Sequence, residues 1–193
     1  MRRFLLMLPL LAGLAIPSAA RADVRRTLEF LGFSDDGARY LLKVSDANSG
    51  DALSVRSFAT GKAEKTFPLA GPAREKQDVD AARRKYRITD PGTDAMQSPD
   101  GRYTLLVLPK GMKTEIRVMR GEKRAVLKSL DAKPGPEGPP KVTLKSVFWS
   151  RDGRRIVVVL HRTLREDHYY TDTDEAHPID FLPGEMNFEG GGS

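Results

Sequence analysis

A short turn sequence of serine, aspartate and glycine occurs three times in this chain, and each copy precedes an apolar strand. The copies are Ser34-Asp35-Asp36-Gly37, Ser98-Pro99-Asp100-Gly101 and Ser150-Arg151-Asp152-Gly153. A turn-then-strand unit that repeats along a chain is typical of β proteins built from similar sheets. The repeat therefore predicts an all-β, mainly antiparallel fold, and it says little about biochemical activity.

The residue types in the repeat suit a tight turn. Serine and aspartate side chains bond to nearby backbone amides, and glycine adopts a positive φ that other residues resist. A metal or phosphate site is the alternative interpretation, but ordinary turn chemistry explains all three copies, which lie far apart in the sequence. We therefore expect Gly37, Gly101 and Gly153 to be structural turn residues.

Apolar and alternating runs around each turn predict about three four-stranded sheets within one domain, residues 23–189. A helical insert and a proline-rich linker separate the three units. The units span about 27–70, 94–131 and 141–183, the helix 73–88, the linker 132–140 and a disordered tail 190–193.

The third unit supplies the clearest core candidates. Residues 156–160 are continuously apolar, which predicts a strand buried on both faces. Trp149 ends the preceding strand, so we expect it to be buried against that run, across the turn. Period-two alternation places Trp149 and Val147 on one face of their strand and Phe148 on the other.

The first 22 residues have the features of an export signal. Arg2 and Arg3 precede an apolar stretch over residues 4–16, and small residues follow it. This order predicts a general-secretion signal peptide cleaved after Ala22 or, as second choice, after Ala20. An uncleaved N-terminal anchor is the alternative, but the apolar stretch is short for a membrane span. We therefore expect a periplasmic or secreted protein without a stable membrane span.

Charge and cysteine content limit the functional classes. The net charge is +6, and cleavage of the signal would lower it to +3, because three arginines and no acidic residue leave with it. This modest value does not favour nucleic acid as a partner. The chain has no cysteine, which excludes disulfides, a thiol nucleophile and thiolate metal ligands.

The third copy lies in the run Phe148-Trp149-Ser150-Arg151-Asp152-Gly153-Arg154-Arg155. This run resembles the "WSPDG" repeat of TolB-type, WD40-like β-propellers, with Arg151 in place of proline. The order of repeat, charged helix and repeat is also similar to a group of secreted bacterial proteins of unknown function. The resemblance implies a propeller-like arrangement of blade-like antiparallel sheets, with a protein-binding surface in the cell envelope. It implies no catalytic residue. Closed propellers have about four to eight blades, and the sequence has only three repeats. We therefore expect a small or partial, open propeller, with a degenerate fourth sheet near the termini as the alternative.

A cluster of histidines and acidic residues near the C-terminus is the candidate for metal chemistry. Imidazole and carboxylate groups together could hold zinc or another divalent ion. A solvated acidic loop is the alternative, because neither a zinc-hydrolase spacing nor a calcium-loop glycine is present. The cluster consists of His161, Asp167, His168, Asp172, Asp174, Glu175 and His177.

Two further groups of residues are candidates for interaction. Tyr169 and Tyr170 could contact a partner or belong to the core. A basic cluster could bind a polyanion or the envelope surface, although a solvated mixed-charge face is the commoner arrangement. The basic cluster consists of Arg83, Arg84, Lys85 and Arg87.

Three functional hypotheses remain from the sequence. The first is a non-enzymatic, exported, propeller-like interaction module that binds an envelope protein. The second is a small periplasmic metal-binding protein or metal-dependent enzyme that uses residues 161–177. The third is a polyanion binder that uses residues 83–87. The sequence has no nucleophile elbow and no phosphate-binding glycine loop, and it gives no reason to expect a cofactor.

Overall fold

The computed structural model describes residues 24–135, 138–166 and 169–190. These residues form twelve strands and one α-helix, with a single 3₁₀ turn at Pro183–Glu185. The predicted all-β fold with one inserted helix is confirmed.

The strands form three consecutive antiparallel units and two short additions. Unit I is β1 (Val24–Ser34), β2 (Arg39–Asp46), β3 (Gly50–Ser57) and β4 (Ala63–Pro68). After helix α1 (Pro72–Tyr86) come β5 (Ile88–Asp90) and β6 (Thr93–Asp94). Unit II is β7 (Thr104–Lys110), β8 (Lys113–Arg120) and β9 (Lys123–Asp131). Unit III is β10 (Lys141–Trp149), β11 (Arg155–Glu166) and β12 (Tyr169–Asp180).

Units I and III share one sheet, which differs from the predicted three separate sheets. Residues 24–26 of β1 pair in parallel with residues 171–173 of β12. This pairing gives a nine-stranded sheet in the order β4-β3-β2-β1-β12-β11-β10-β6, with β5 also beside β1. Unit II is a separate three-stranded sheet rather than a four-stranded one.

The units pack face to face in the order α1, unit I, unit III, unit II. Side chains of units I and III share one buried cluster, which includes Phe30, Phe33 and Val157. Side chains of units II and III share another, which includes Leu105 and Trp149. Unit III therefore lies in the middle of the stack.

Strand β11 confirms the prediction for the continuous apolar run. Residues 156–160 are all buried, because Val157 and Val159 face unit I while Ile156, Val158 and Leu160 face unit II. A strand that is buried on both faces needs apolar side chains at every position.

Trp149 is fully buried, as predicted. It pairs with Ile156 across the turn, and its indole contacts the Phe181 ring edge to face at 5.4 Å between centroids. Its Nε1–H donates to the carbonyl oxygen of Ala95 at 3.0 Å. Phe148 faces the other way, into the cluster shared with unit I.

Helix α1 follows the predicted insert. Pro72 occupies its first turn, and it ends where Arg87 adopts a left-handed conformation with φ 53°. The helix covers the outer face of unit I, where Ala82 packs against Leu41 and Leu53. No helix in the described part of the chain is long and apolar enough to cross a membrane.

The three repeated turns have the same hydrogen bonds. In each copy the serine Oγ–H donates to the aspartate Oδ1, at 2.6, 2.6 and 2.5 Å in chain order. The serine Oγ also accepts the backbone N–H five residues later. The φ angles of Gly37, Gly101 and Gly153 are 63°, 71° and 67°, so the predicted positive φ is confirmed.

Alanine at each turn glycine should lower the free energy of unfolding by about 1 kcal/mol or more, because alanine resists positive φ. Gly37→Ala should cost most, since an added Cβ would displace the Arg155 guanidinium, which would then lose its bond to the carbonyl oxygen of Asp36. Gly101→Ala meets no atom within 4 Å and isolates the backbone cost. Urea unfolding followed by circular dichroism measures the series. Unchanged stability in all three variants would contradict the structural role.

Candidate functional site

The repeated turns of the three units gather at one end of the stack, which we call the turn end. The turns that begin at Ser34 and Ser150 line a cleft of about 400 Å³ between units I and III. The turns that begin at Ser98 and Ser150 line a cleft of about 520 Å³ between units II and III. The unit III turn therefore separates the I–III cleft from the II–III cleft.

The II–III cleft combines aromatic and charged side chains. Tyr103 and Phe181 are buried and in edge contact, with 4.9 Å between ring centroids. Leu182 is 45% exposed. The charged residues that line this cleft are Asp100, Asp152, Glu185, Arg151 and Arg154. An apolar base with a charged rim suits a peptide or protein segment.

Arginines of the unit III turn have different roles. The Arg155 guanidinium donates to the carbonyl oxygen of Asp36 at 3.3 Å and so links units III and I. The backbone N–H of Arg151 donates to Asp90 Oδ2 at 2.7 Å, which fixes its main chain. The guanidinium groups of Arg151 and Arg154 make no ion pair with any described residue, and both residues are exposed.

The turn aspartates are held as carboxylates by the turns themselves. Bonds from the serine hydroxyl and a backbone N–H lower the pKa of Asp36 and of Asp100. Burial raises the pKa of Asp152, but bonds from Ser150 and the Arg154 N–H outweigh it and bring the value below its usual range. The Oδ1 oxygen of each carboxylate thus accepts hydrogen bonds within its own turn.

The predicted histidine and acidic cluster lies largely on strands rather than in a solvated loop. Strand β12 carries its acidic residues between β1 and β11, so the loop interpretation is wrong for the described residues. His161 and Asp174 are paired across β11 and β12, on the face toward unit I. Glu175 and His177 alternate with them and lie on the face toward unit II. The sheet therefore separates the cluster into two parts.

Asp174 is the most connected member of this cluster, and its side chain is fully buried. It accepts hydrogen bonds from Lys145 Nζ at 2.5 Å and from the Leu28 N–H at 2.8 Å. Burial raises the pKa of Asp174, but these bonds and that of His161 outweigh burial and lower the pKa below its usual value. Leu28 follows the parallel pairing of β1 with β12, so Asp174 holds the point where β1 diverges from β12.

His161 lies between two carboxylates. Its Nδ1 is 2.9 Å from Asp174 Oδ1, and its Nε2 is 2.8 Å from Asp172 Oδ1. Asp172 also contacts Arg25 of β1 at 3.5 Å. No group of three or more possible ligands among the described residues is arranged to hold a metal ion. Asp167 and His168 lie outside the described residues.

The basic cluster lies in the last turn of α1 and at Arg87, and most of it is used in contacts with unit I and within α1. Arg83 donates to the carbonyl oxygen of Leu31 at 3.1 Å, and Arg87 forms an ion pair with Asp35. Lys85 lies over the rings of Phe67 and Tyr86. Arg84 is exposed. These contacts separate the four cations rather than gathering them on one patch.

The two candidate tyrosines lie at the start of β12, away from the turn end. Tyr170 is 47% exposed, and the Arg165 guanidinium lies 5.7 Å from its ring centroid. The side chain of Tyr169 is outside the described part of the structure.

Comparison of the chain with protein-family models, curated proteins and solved structures returned no match.

Sequence reasoning missed several residues of the clefts, namely Arg151, Arg154, Leu182 and Glu185. Arg151 and Arg154 could have been found from the repeat, because Arg151 lies within the third turn and Arg154 directly follows it. Leu182 and Glu185 gave no comparable signal, since they belong to an irregular segment after β12.

Proposed function

We propose that this protein is an exported, non-enzymatic, propeller-like module that binds a protein partner in the cell envelope through its turn end. The observation that carries the proposal is the gathering of three repeated turns around two clefts. Loops on a rigid β scaffold are frequent binding surfaces, and exposed Arg151, Arg154 and Leu182 offer polar and apolar anchors there.

Face-to-face packing of the units supports the propeller-like description. The units are antiparallel, and each carries its repeated turn at the same end of the stack. Their order is II–III–I, which we interpret as a partial, open array of blade-like sheets.

Site-specific photocrosslinking in cells that produce the full chain tests the partner surface. A photoreactive residue at Leu182 or Arg154 should give the same discrete adduct with a second protein. The matched control is Asn48, an exposed residue in the turn between β2 and β3, at the other end of unit I. An equal adduct from Asn48, or no adduct from either turn-end position, would contradict the proposal.

The export part of the proposal predicts a defined mature N-terminus. Because two arginines, an apolar stretch and small residues follow in order, the mature protein should begin at Asp23, or at Arg21 as second choice. Mass spectrometry of the protein isolated from its natural cells measures this directly. A chain that still begins at Met1 would refute cleavage.

A further inference from the structure

The two outer faces of the stack differ in how they are covered. Helix α1 packs on the outer face of unit I. On the outer face of unit II, no helix or strand of the described residues is packed. The outer face of unit I is therefore covered by a helix, and the outer face of unit II is open.

Alternation along three paired strands defines the open face. Leu105, Ile116 and Val118 are buried toward unit III, so their neighbours point outward. Strand pairing places the outward residues in rows across the sheet. The open face of unit II consists of Thr104, Leu106, Leu108, Lys110, Lys113, Glu115, Arg117, Met119, Arg124, Val126, Ser129 and Asp131.

The open face is both apolar and cationic. Leu106, Leu108 and Met119 are half-buried, and Val126 is 53% exposed. Four cations and two carboxylates, Glu115 and Asp131, accompany them, so the cations are in excess.

Glu115 is already shared by two of those cations. It lies 3.1 Å from Lys110 Nζ and 2.6 Å from an Arg117 guanidinium nitrogen. Lys113 and Arg124 are exposed and make no ion pair with any described residue. Net positive charge therefore remains on the open face for an acidic partner.

The chain itself shows how such a face is covered. On unit I, α1 places apolar Val79 and Ala82 against the sheet. It also brings the Glu75 carboxylate to Lys43 Nζ at 2.6 Å. An amphipathic helix with an acidic residue thus satisfies both the apolar and the cationic groups of a sheet face.

The C-terminal segment is bonded to the edge of unit II through its main chain. Glu189 forms a two-bond antiparallel bridge with Arg124, at 3.1 and 2.9 Å. A cleft of about 350 Å³ lies between this segment and unit II. Arg117, Arg124 and Val126 line it from unit II, and Glu185 and Glu189 line it from the segment.

We propose that the open face of unit II binds an acidic, amphipathic segment of a partner protein. Apolar side chains of that segment cover Leu106, Met119 and Val126, and its carboxylates pair with Lys113 and Arg124. A second copy of the same face is disfavoured as occupant, because two cationic faces repel each other. This surface is separate from the turn end, so either surface can bind without the other.

The test uses a fluorescein-labelled amphipathic peptide of leucine and glutamate, with binding followed by anisotropy at low salt. The wild-type protein should bind it saturably. The double variant Lys113→Gln/Arg124→Gln should bind at least fivefold more weakly, and Val126→Ser should also weaken binding. A leucine and lysine peptide should not bind. Native Trp149 emission confirms that each variant is folded.

The matched control is Lys65→Gln/Lys76→Gln, which removes two exposed cations from β4 and α1. This control should bind the acidic peptide as the wild type does. Equal weakening in both double variants would show non-specific charge attraction and overturn the proposal. Absence of saturable binding to the wild type would overturn it as well. Neither outcome changes the expected turn-end crosslinks, so the two proposals fail independently.

Discussion

Trp149→Ala should lower the free energy of unfolding by about 3 kcal/mol or more, the usual cost of truncating a buried aromatic side chain. The indole is fully buried in the cluster between units II and III and contacts the edge of Phe181. Its removal leaves a cavity between two sheets, and the Ala95 carbonyl oxygen loses its 3.0 Å donor. Urea unfolding followed by circular dichroism measures the change.

Trp149→Phe is the matched control, because it retains an aromatic ring and removes only the N–H and part of the volume. It should be clearly less destabilising than alanine. In the wild type, Trp149 emission should be blue-shifted and poorly quenched by iodide. A cost below about 1 kcal/mol for alanine would contradict the central position of this residue.

Asp174→Asn should lower the free energy of unfolding by about 2–3 kcal/mol, since breaking a buried ion pair leaves its partners uncompensated. The carboxylate contacts Lys145, His161 and the Leu28 N–H. The Lys145 side chain is 39% exposed, so its ammonium group can be solvated when the carboxylate is removed. This keeps the loss of stability at the lower end of this range. Asp131→Asn, on the exposed end of β9, is the control and should change little.

The same carboxylate makes stability depend on pH in a defined direction. The pKa of Asp174 is lower in the folded protein than its usual value. Its contribution is therefore present above about pH 4 and is lost as pH falls through the lowered pKa. The Asp174→Asn variant should lose less stability than the wild type between pH 5 and acidic pH. Parallel curves for the two proteins would contradict this contribution.

Local features of the fold could be predicted from the sequence. The turns were recognisable because serine, aspartate and glycine act within a few residues of each other. The burial of Trp149 was predictable because this residue ends a strand directly before a defined turn. Helix α1 was recognisable from Pro72 and helix-forming residues. Each of these signals lies within one short segment.

The order and joining of the units could not be predicted. The parallel pairing of β1 with β12 joins residues that are 147 positions apart, and no residue type in residues 24–26 specifies that partner. Pairing between distant strands depends on the whole set of packed faces rather than on local propensity.

The arrangement of the histidine and acidic cluster could be predicted only in part. Residues 172 and 174 lie on one face of β12 and residues 175 and 177 on the other, which strand alternation alone would have indicated. The acidic composition of this segment suggested a loop instead. Polar partners that compensate for burial, such as Lys145 for Asp174, come from another strand and leave no pattern in the sequence.

The position of unit III in the stack has a consequence for how the molecule acquires its structure. Unit III is central, yet it is the last unit to be synthesised. Until β10–β12 are complete, unit I and unit II each expose the apolar face that later packs against unit III. Many native contacts join distant parts of the chain, so folding should be slow compared with that of a local helical protein. A nascent chain that stops before Trp149 has two incomplete halves and is exposed to aggregation. Dependence on folding helpers should therefore be greatest when units I and II have been synthesised and unit III has not.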